Sequence, residues 1–136
     1  MRRQMPAMES VRLSIFKWGV KTMPLFCLQG RYTAESLHNI IDNKEDRTAA
    51  AAALCESAGG KLVGMFGVMG QDHHIMAICD MPSLPSYMSM YMKIMQSGAF
   101  EMLRTVNLYT GADVVAAAEM VDSTQTYLTL LEKVFL

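Results

Sequence analysis

The amino-acid sequence predicts an α+β domain whose strands and main helices follow the order βαββαβ. Four short apolar runs are bounded by glycine or other turn residues, which is typical of strands. Helix-forming stretches separate the first run from the second and the third from the fourth. Only Gly70-Gln71-Asp72 stands between the two middle runs, so these two strands are predicted to pair as an antiparallel hairpin. This order is that of the ferredoxin-like, or split βαβ, architecture, in which an antiparallel four-stranded sheet carries helices on one face.

The strands are predicted from the apolar sequences PLFCLQ, KLVGMFGVM, HHIMAICD and MLRTVNLY. Gly30 follows the first of these runs, and the turn at Gly70 separates the second from the third. The predicted strands are therefore residues 24–29, 61–69, 73–80 and 102–109.

The first helix is predicted to begin after Thr33, whose hydroxyl is suited to the N-cap. The polar residues 42–46 interrupt it, and an alanine-rich stretch resumes it over residues 47–58. Gly59-Gly60 supplies the left-handed stop. The chain is thus expected to enter the second strand from a bent or broken helix.

The second main helix is predicted to begin at Ser83, because Pro82 and Pro85 flank this N-cap residue. It ends at Gly98, and its apolar stripe includes many methionines. Methionines at helical spacing could also bind Cu(I), but flexible core packing explains them without a metal. Two short helices are predicted to close the chain, around residues 113–121 and 124–134.

Residues 1–22 are predicted to form an N-terminal extension, because five basic residues stand here against the single acid Glu9. This extension packs on the domain or on a partner; alternatively, translation starts at Met23 and the upstream codons are not used. The predicted organisation is an extension over residues 1–22, a domain over residues 23–121 and a C-terminal helix over residues 122–136.

The composition excludes several functional classes. Hydrophobic residues make up 51% of the chain, and 12 basic residues are balanced by 13 acidic ones. No basic field for phosphates is present, which argues against nucleic-acid binding. No apolar run approaches the ~20 residues of a membrane span. The 3 cysteines form no CxxC pair, which is typical of reduced, buried thiols in a cytoplasmic protein.

The strands are apolar on both faces, although helices can cover only one. In the second strand, alternation places Leu62, Phe66 and Val68 on one face and Val63, Met65 and Met69 on the other. A bare apolar sheet would be a large exposed patch, so a second copy of the sheet is expected to cover it. The prediction is a homodimer, or a larger homo-oligomer, that closes into a dimeric α/β barrel. In the alternative, the terminal segments fold over that face and the protein is a monomer.

Residues 30–62 and the strand end Asp80-Met81-Pro82 resemble the GYD-domain family of small bacterial proteins. Arg47 and Gly59-Gly60-Lys61 match the pattern of this family, and the resemblance extends over about residues 23–121. The signature tripeptide differs, since this chain has Gly70-Gln71-Asp72 with two histidines after it. The resemblance implies a dimeric α/β barrel and no particular reaction. Larger relatives of that barrel include monooxygenases, isomerases and haem-handling enzymes, which is an analogy of fold alone.

His73 and His74 are the candidate catalytic residues. Adjacent strand residues point to opposite faces, so the two rings are not expected to bind one metal together. One histidine could act as an acid or base near neutral pH, or as a haem ligand. The alternative is a histidine at the edge of a turn that forms local hydrogen bonds. No metal and no cofactor is predicted.

Polar residues at the ends of the first and fourth strands are the candidate ligand-binding residues. These two strands are neighbours in the predicted topology, and sparse polar groups within an apolar lining are typical of a small-molecule pocket. The candidates are Tyr32, Arg104, Asn107 and Tyr109. Alternatively, the strand ends are simply solvated and Arg104 forms a surface salt bridge.

Three functions follow from these observations. The first is a binding module that holds a small apolar or aromatic ligand in a cavity between sheet and helices. The second is a cofactor-independent oxygenase or isomerase that uses His73 or His74 to carry a proton. The third is a structural or interaction protein that docks through its N-terminal extension.

Overall fold

The computed structural model of the protein describes residues 24–135. The strands are β1 (Leu25–Tyr32), β2 (Lys61–Gly67), β3 (Ile75–Asp80) and β4 (Phe100–Leu108). The helices are α1 (Ala34–Asn43), α2 (Thr48–Ser57), α3 (Leu84–Ser97), α4 (Gly111–Met120) and α5 (Tyr127–Phe135), with a 3₁₀ turn at Val121–Ser123. The predicted α+β, ferredoxin-like order is confirmed. The predicted extension over residues 1–22 lies outside the described residues.

The sheet has the order β2-β3-β1-β4, and all its neighbouring strands are antiparallel. Leu28 in β1 lies opposite Ala77 in β3 and Thr105 in β4. The two central strands are therefore β1 and β3, and the two edge strands are β2 and β4.

Capping side chains set the helix starts at the predicted positions. The backbone N–H of Ser36 donates to Thr33 Oγ1 at 3.2 Å, and that of Ser86 donates to Ser83 Oγ at 3.2 Å. Lys44 adopts a left-handed conformation that ends α1. The predicted interruption of the first helix is thus confirmed as a break between α1 and α2.

The core lies between one face of the sheet and helices α2 and α3. Phe26 in β1 stacks on Tyr87 in α3, with ring centroids 4.2 Å apart. Met81 is fully buried at the end of β3. The buried cluster consists of Phe26, Leu28, Cys55, Ala77, Cys79, Met81, Tyr87 and Met90.

Two local predictions for the β2–β3 hairpin are wrong. A β-bulge in β2 between Leu62 and Gly64 shifts the alternation of side chains. Leu62 and Met65 therefore share the core face, and Phe66 lies on the opposite face. The predicted grouping of Leu62 with Phe66 fails for this reason. In addition, β3 begins at Ile75 rather than at residue 73, because residues 68–74 form a longer connection.

The sheet face opposite the core, called here the open face, has an apolar centre. Cys27 lies opposite Ile78 in β3 and Val106 in β4, and Val106 is 41% exposed. Phe66 at the edge is 55% exposed. The helices with contacts in the core cluster, α2 and α3, lie on the other side of the sheet. The open face thus presents apolar surface next to polar residues such as Gln29 and Arg104.

The C-terminal arm, defined as residues 111–135, extends from the end of β4. Most of its large apolar side chains are exposed, and α4 contacts the neighbouring 3₁₀ turn more than it contacts the sheet. Within residues 24–135, no helix is long and apolar enough to cross a membrane.

Candidate functional site

Polar side chains from β1, β4 and the β2–β3 connection meet at one end of the open face. This polar cluster consists of Gln29, Arg31, Asp72, His73 and Arg104. The Arg104 guanidinium donates to both carboxylate oxygens of Asp72, at 3.0 Å and 2.9 Å. Its Nε donates to Gln29 Oε1 at 2.8 Å. The fork of Arg104 is thus held from two sides.

The fold brings these residues together by strand register and by a turn. Gln29 and Arg104 are register partners on adjacent strands, so their side chains leave the same face. Gly70 adopts a positive φ of 74°, and the chain then returns toward β1. Arg31 Nη1 donates to the backbone carbonyl of Asp72 at 2.9 Å and fixes this return.

His73 is buried within the polar cluster, with 7% of its surface exposed. Its Nδ1 lies 3.0 Å from Asp72 Oδ1 and 3.2 Å from Arg104 Nη2. A neutral ring with its proton on Nε2 accepts from the guanidinium, whereas a proton on Nδ1 is donated to the carboxylate. The proton on His73 therefore decides which of the two neighbours the ring binds.

The contacts within the polar cluster stabilise the charged forms of Asp72 and Arg104. The hydrogen bonds from Arg104, and then from His73, hold the pKa of Asp72 well below its ordinary range. The same carboxylate raises the pKa of Arg104. Asp72 is consequently ionised at neutral pH, and it is a fixed negative neighbour for the imidazole of His73.

His74 contacts a different part of the molecule. Its Nδ1 accepts a hydrogen bond of 3.0 Å from the backbone N–H of Tyr32. The ring stacks on Tyr32 at a centroid distance of 5.9 Å, and Phe100 stacks on the same tyrosine at 4.6 Å. The two histidine rings therefore have separate partners and do not face one common ligand position.

A cleft of about 290 Å³ lies on the helix side of the sheet, at the junction of α1 and α2. The Arg47 guanidinium lies 5.4 Å from the centroid of the Tyr32 ring, and it pairs with Glu45 at 2.8 Å. The residues that line this cleft are Tyr32, Ile40, Glu45, Asp46, Arg47, Thr48, Met65, Phe66, Gly67 and Ile75.

The rim of the cleft carries two carboxylates and one guanidinium. A hydrogen bond from Arg47 lowers the pKa of Glu45, and the backbone N–H of Thr48 lowers that of Asp46. Both acids are thus ionised at neutral pH, and the rim has one negative charge more than positive. Burial raises the pKa of Tyr32, which keeps the phenol neutral.

The four predicted ligand-binding residues do not form one site. Tyr32 lines the cleft, whereas Arg104 belongs to the polar cluster on the open face. Asn107 pairs with Phe26 near the far end of β4. Tyr109 follows the strand and is 77% exposed. Of these candidates, only Tyr32 lines the cleft; Tyr32 contacts His74, and Arg104 contacts His73.

Several site residues are not identified by the sequence pattern, above all Arg47 in the cleft and Asp72 in the polar cluster. Arg47 matches the family pattern, but nothing in its local sequence indicates a contact with Tyr32. The sequence pattern identifies Asp72 only as part of a turn. The sequence signal for this ion pair is an acid in the turn and an arginine in the fourth strand. It could be recognised only with knowledge of the register of β1 against β4, which places Arg104 opposite Gln29.

Asp80 is a buried acid that belongs to neither the cleft nor the polar cluster. Its Oδ1 has no hydrogen-bond partner among residues 24–135, and burial raises its pKa while its register partner Lys61 lowers it. Asp80 ends β3, whereas His73 precedes that strand, so the orphaned oxygen belongs to neither the cleft nor the polar cluster.

The three cysteines are free and buried. The Sγ atoms of Cys55 and Cys79 are 3.8 Å apart. The hydrogen bond between the thiols of Cys55 and Cys79, together with burial, strongly raises the pKa of Cys79. Burial also raises the pKa of Cys27. Within the described part of the chain, no group of three or more histidine, cysteine or acidic residues could hold a metal ion.

The family model of the GYD domain matches residues 26–124, which is well over half of the chain. No curated protein and no solved structure is detectably similar to it. The match includes β1 from its second residue, the other three strands, the cleft and the polar cluster, and it ends before α5. By this match, the chain belongs to the GYD domain family.

Proposed function

We propose that this protein is a homodimeric binding module that holds a small, neutral aromatic or apolar ligand in the cleft. The observation that carries the proposal is the cleft of about 290 Å³ in which the Arg47 guanidinium lies 5.4 Å from the centroid of the Tyr32 ring. Ile40, Met65 and Ile75 add apolar walls. Small-molecule sites combine an apolar lining with a few placed polar groups, which in this cleft are Glu45, Asp46, Arg47 and Thr48.

Size and charge narrow the class of ligand. A cleft of about 290 Å³ is at the small end for ligand sites, which favours a compound of one or two rings. An anion would meet Glu45 and Asp46, and Arg47 is already paired with Glu45 at 2.8 Å. A neutral aromatic compound is therefore favoured over its carboxylate analogue.

The apolar centre of the open face supports the homodimer. A second copy would cover the exposed Val106 and the half-buried Ile78, which lie on either side of the buried Cys27, with the same residues in a two-fold arrangement. An interface of standard size buries about 1,600 Å². If just over half of this is apolar, burial at about 25 cal/mol per Å² contributes on the order of 20 kcal/mol. The association cost of about 4–15 kcal/mol and the ordering of interface side chains offset part of this contribution. The free cysteines support a reducing, cytoplasmic location.

Thermal unfolding with paired probes tests the ligand proposal. We expect 1-naphthol to raise the Tm of the wild type, and 1-naphthoate to raise it less. Tyr32→Ala should remove the response, whereas the exposed Tyr109→Ala should keep it. If no aromatic or quinone-like compound changes the Tm, or if Tyr109→Ala alone removes the response, the cleft is not the site.

We propose a proton-transfer enzyme of the isomerase or oxygenase type as the second candidate. It is supported by the contact between His73 Nδ1 and the ionised Asp72, because a carboxylate orients a histidine that takes a proton from one carbon and returns it to another. In this function Arg104 would stabilise the developing negative charge. Unchanged turnover in a His73→Ala, His74→Ala double variant would contradict this role, with the exposed His38→Ala as control.

A further inference from the structure

The C-terminal arm is an apolar surface with no cover among the described residues. In α5 the polar residues Thr129, Glu132 and Lys133 fall on one side of the helix, and the remaining positions are apolar. Tyr127 and Phe135 are 73% and 77% exposed. Helices of this length are marginal in water without packing, so α5 needs a partner surface.

The N-terminal residues join the sheet beside the start of this arm. Leu25, the first residue of β1, is the register partner of Leu108, the last residue of β4. The described chain therefore begins at the same end of the sheet where it leaves toward Gly111. Because residues 1–22 are tethered there, they have a high effective concentration for the arm.

The two segments have opposite charge. Residues 1–22 contain five basic residues and one acid. Residues 111–135 contain four acids, which are Asp113, Glu119, Asp122 and Glu132, against the single base Lys133. Both segments are also apolar, and the N-terminal one contributes Val11, Leu13, Ile15, Phe16 and Trp18. Opposite charges with matching apolar residues select this pairing over like-charged ones.

We propose that residues 1–22 dock along the C-terminal arm and cover its apolar side. A segment of 22 residues spans up to about 70 Å when extended, which exceeds the ~30 Å of the two arm helices placed end to end. A second copy of the arm is a poorer occupant, since acid would then meet acid. An anionic lipid surface would likewise repel the arm. This inference goes beyond ligand binding and does not depend on it.

Hydrogen exchange on the full chain and on a chain that lacks residues 1–22 tests the docking. In the full chain we expect the amides of α4 and α5 to be protected, and to lose about ten-fold or more of this protection on deletion. Amides of β1 and β3 should exchange equally in both proteins. Equal arm protection in the two chains would overturn the proposal. Protection that persists on deletion but falls on dilution would overturn it too, because a second copy would then be the cover.

Charge reversal provides a second test that needs no deletion. Arg12→Glu with Lys17→Glu should lower the protection of the arm, and Glu119→Lys with Asp122→Lys should do the same. The four changes together should restore it, because the attraction is then present with its signs exchanged. Glu35→Lys with Glu56→Lys, on α1 and α2, is the matched control and should leave the arm unchanged. Failure of the combined variant to recover protection, with the control intact, would contradict pairing by charge.

Discussion

Arg104 on the edge strand β4 holds Asp72 in the β2–β3 connection through two hydrogen bonds of 2.9 and 3.0 Å. The residues are 32 positions apart in the chain, and β1 lies between β4 and β3, the strand that follows Asp72. One ion pair thus ties the edge strand β4 to the β2–β3 connection. The same carboxylate contacts His73, so it links the fold of the connection to the chemistry available there.

The pKa of Asp72 predicts a specific acid sensitivity. The folded-state pKa lies below the ordinary value of about 3.9, so the ion pair stabilises the protein fully above that value. This contribution is lost as the pH falls from the ordinary value through the folded-state pKa. Asp72→Asn should therefore be less stable than the wild type at pH 6, and the difference should shrink toward pH 2. Urea unfolding across this range measures it, and Asp42→Asn on α1 is the control. A constant difference at all pH values would contradict the assignment.

Tyr87 provides a test of the core. Its hydroxyl is 2.7 Å from Thr105 Oγ1, and burial raises its pKa to about 12. Because the neutral phenol is favoured in the folded state, stability should fall as the pH rises from about 10 to about 12. In an absorbance titration, Tyr87→Phe should remove one late-titrating tyrosine and leave that of Tyr32, whose pKa burial also raises. The same variant should lose about 1 kcal/mol at neutral pH. Tyr109→Phe, at the exposed position after β4, should change neither the late part of the titration nor the stability.

Gly60 is predicted to be intolerant of a side chain. A Cβ atom there would lie 2.7 Å from the carbonyl oxygen of Asp80 and would collide with Met81, which is fully buried. Gly60→Ala should therefore cost roughly 1–3 kcal/mol of unfolding free energy in urea. Gly111→Ala is the matched control, because open space surrounds a Cβ at that position. Equal stability of the two variants would show that the close approach is relieved without cost.

Val106 tests the role of the open face. It is 41% exposed, so Val106→Lys should leave the isolated fold intact and place a charge in the centre of the proposed interface. We expect this variant to dissociate at concentrations where the wild type is paired. Met92→Lys, at an exposed position of α3, makes a similar change on the other side of the sheet and should not dissociate. Sedimentation velocity with circular dichroism separates dissociation from unfolding.

Local signals predicted the elements, because caps and glycines act within a few residues. Thr33, Ser83 and Gly98 mark helix ends both in the sequence and in the structure. The bulge after Leu62 had no such signal, since it depends on how β2 pairs with β3. The candidate sites were harder to predict than the helix ends, because they too depend on how the strands pair. Contact between Arg104 and Asp72 depends on long-range register, which single-sequence patterns do not specify.

Native mass spectrometry of the wild type at micromolar concentration, with sedimentation as a check on the subunit number, tests the dimer and the ligand cleft together. We predict a particle of twice the 15.1 kDa chain mass, with a small neutral ligand retained or, after addition of 1-naphthol, bound. A well-behaved particle of 15.1 kDa that takes up no aromatic compound would contradict both the paired sheets and the ligand cleft.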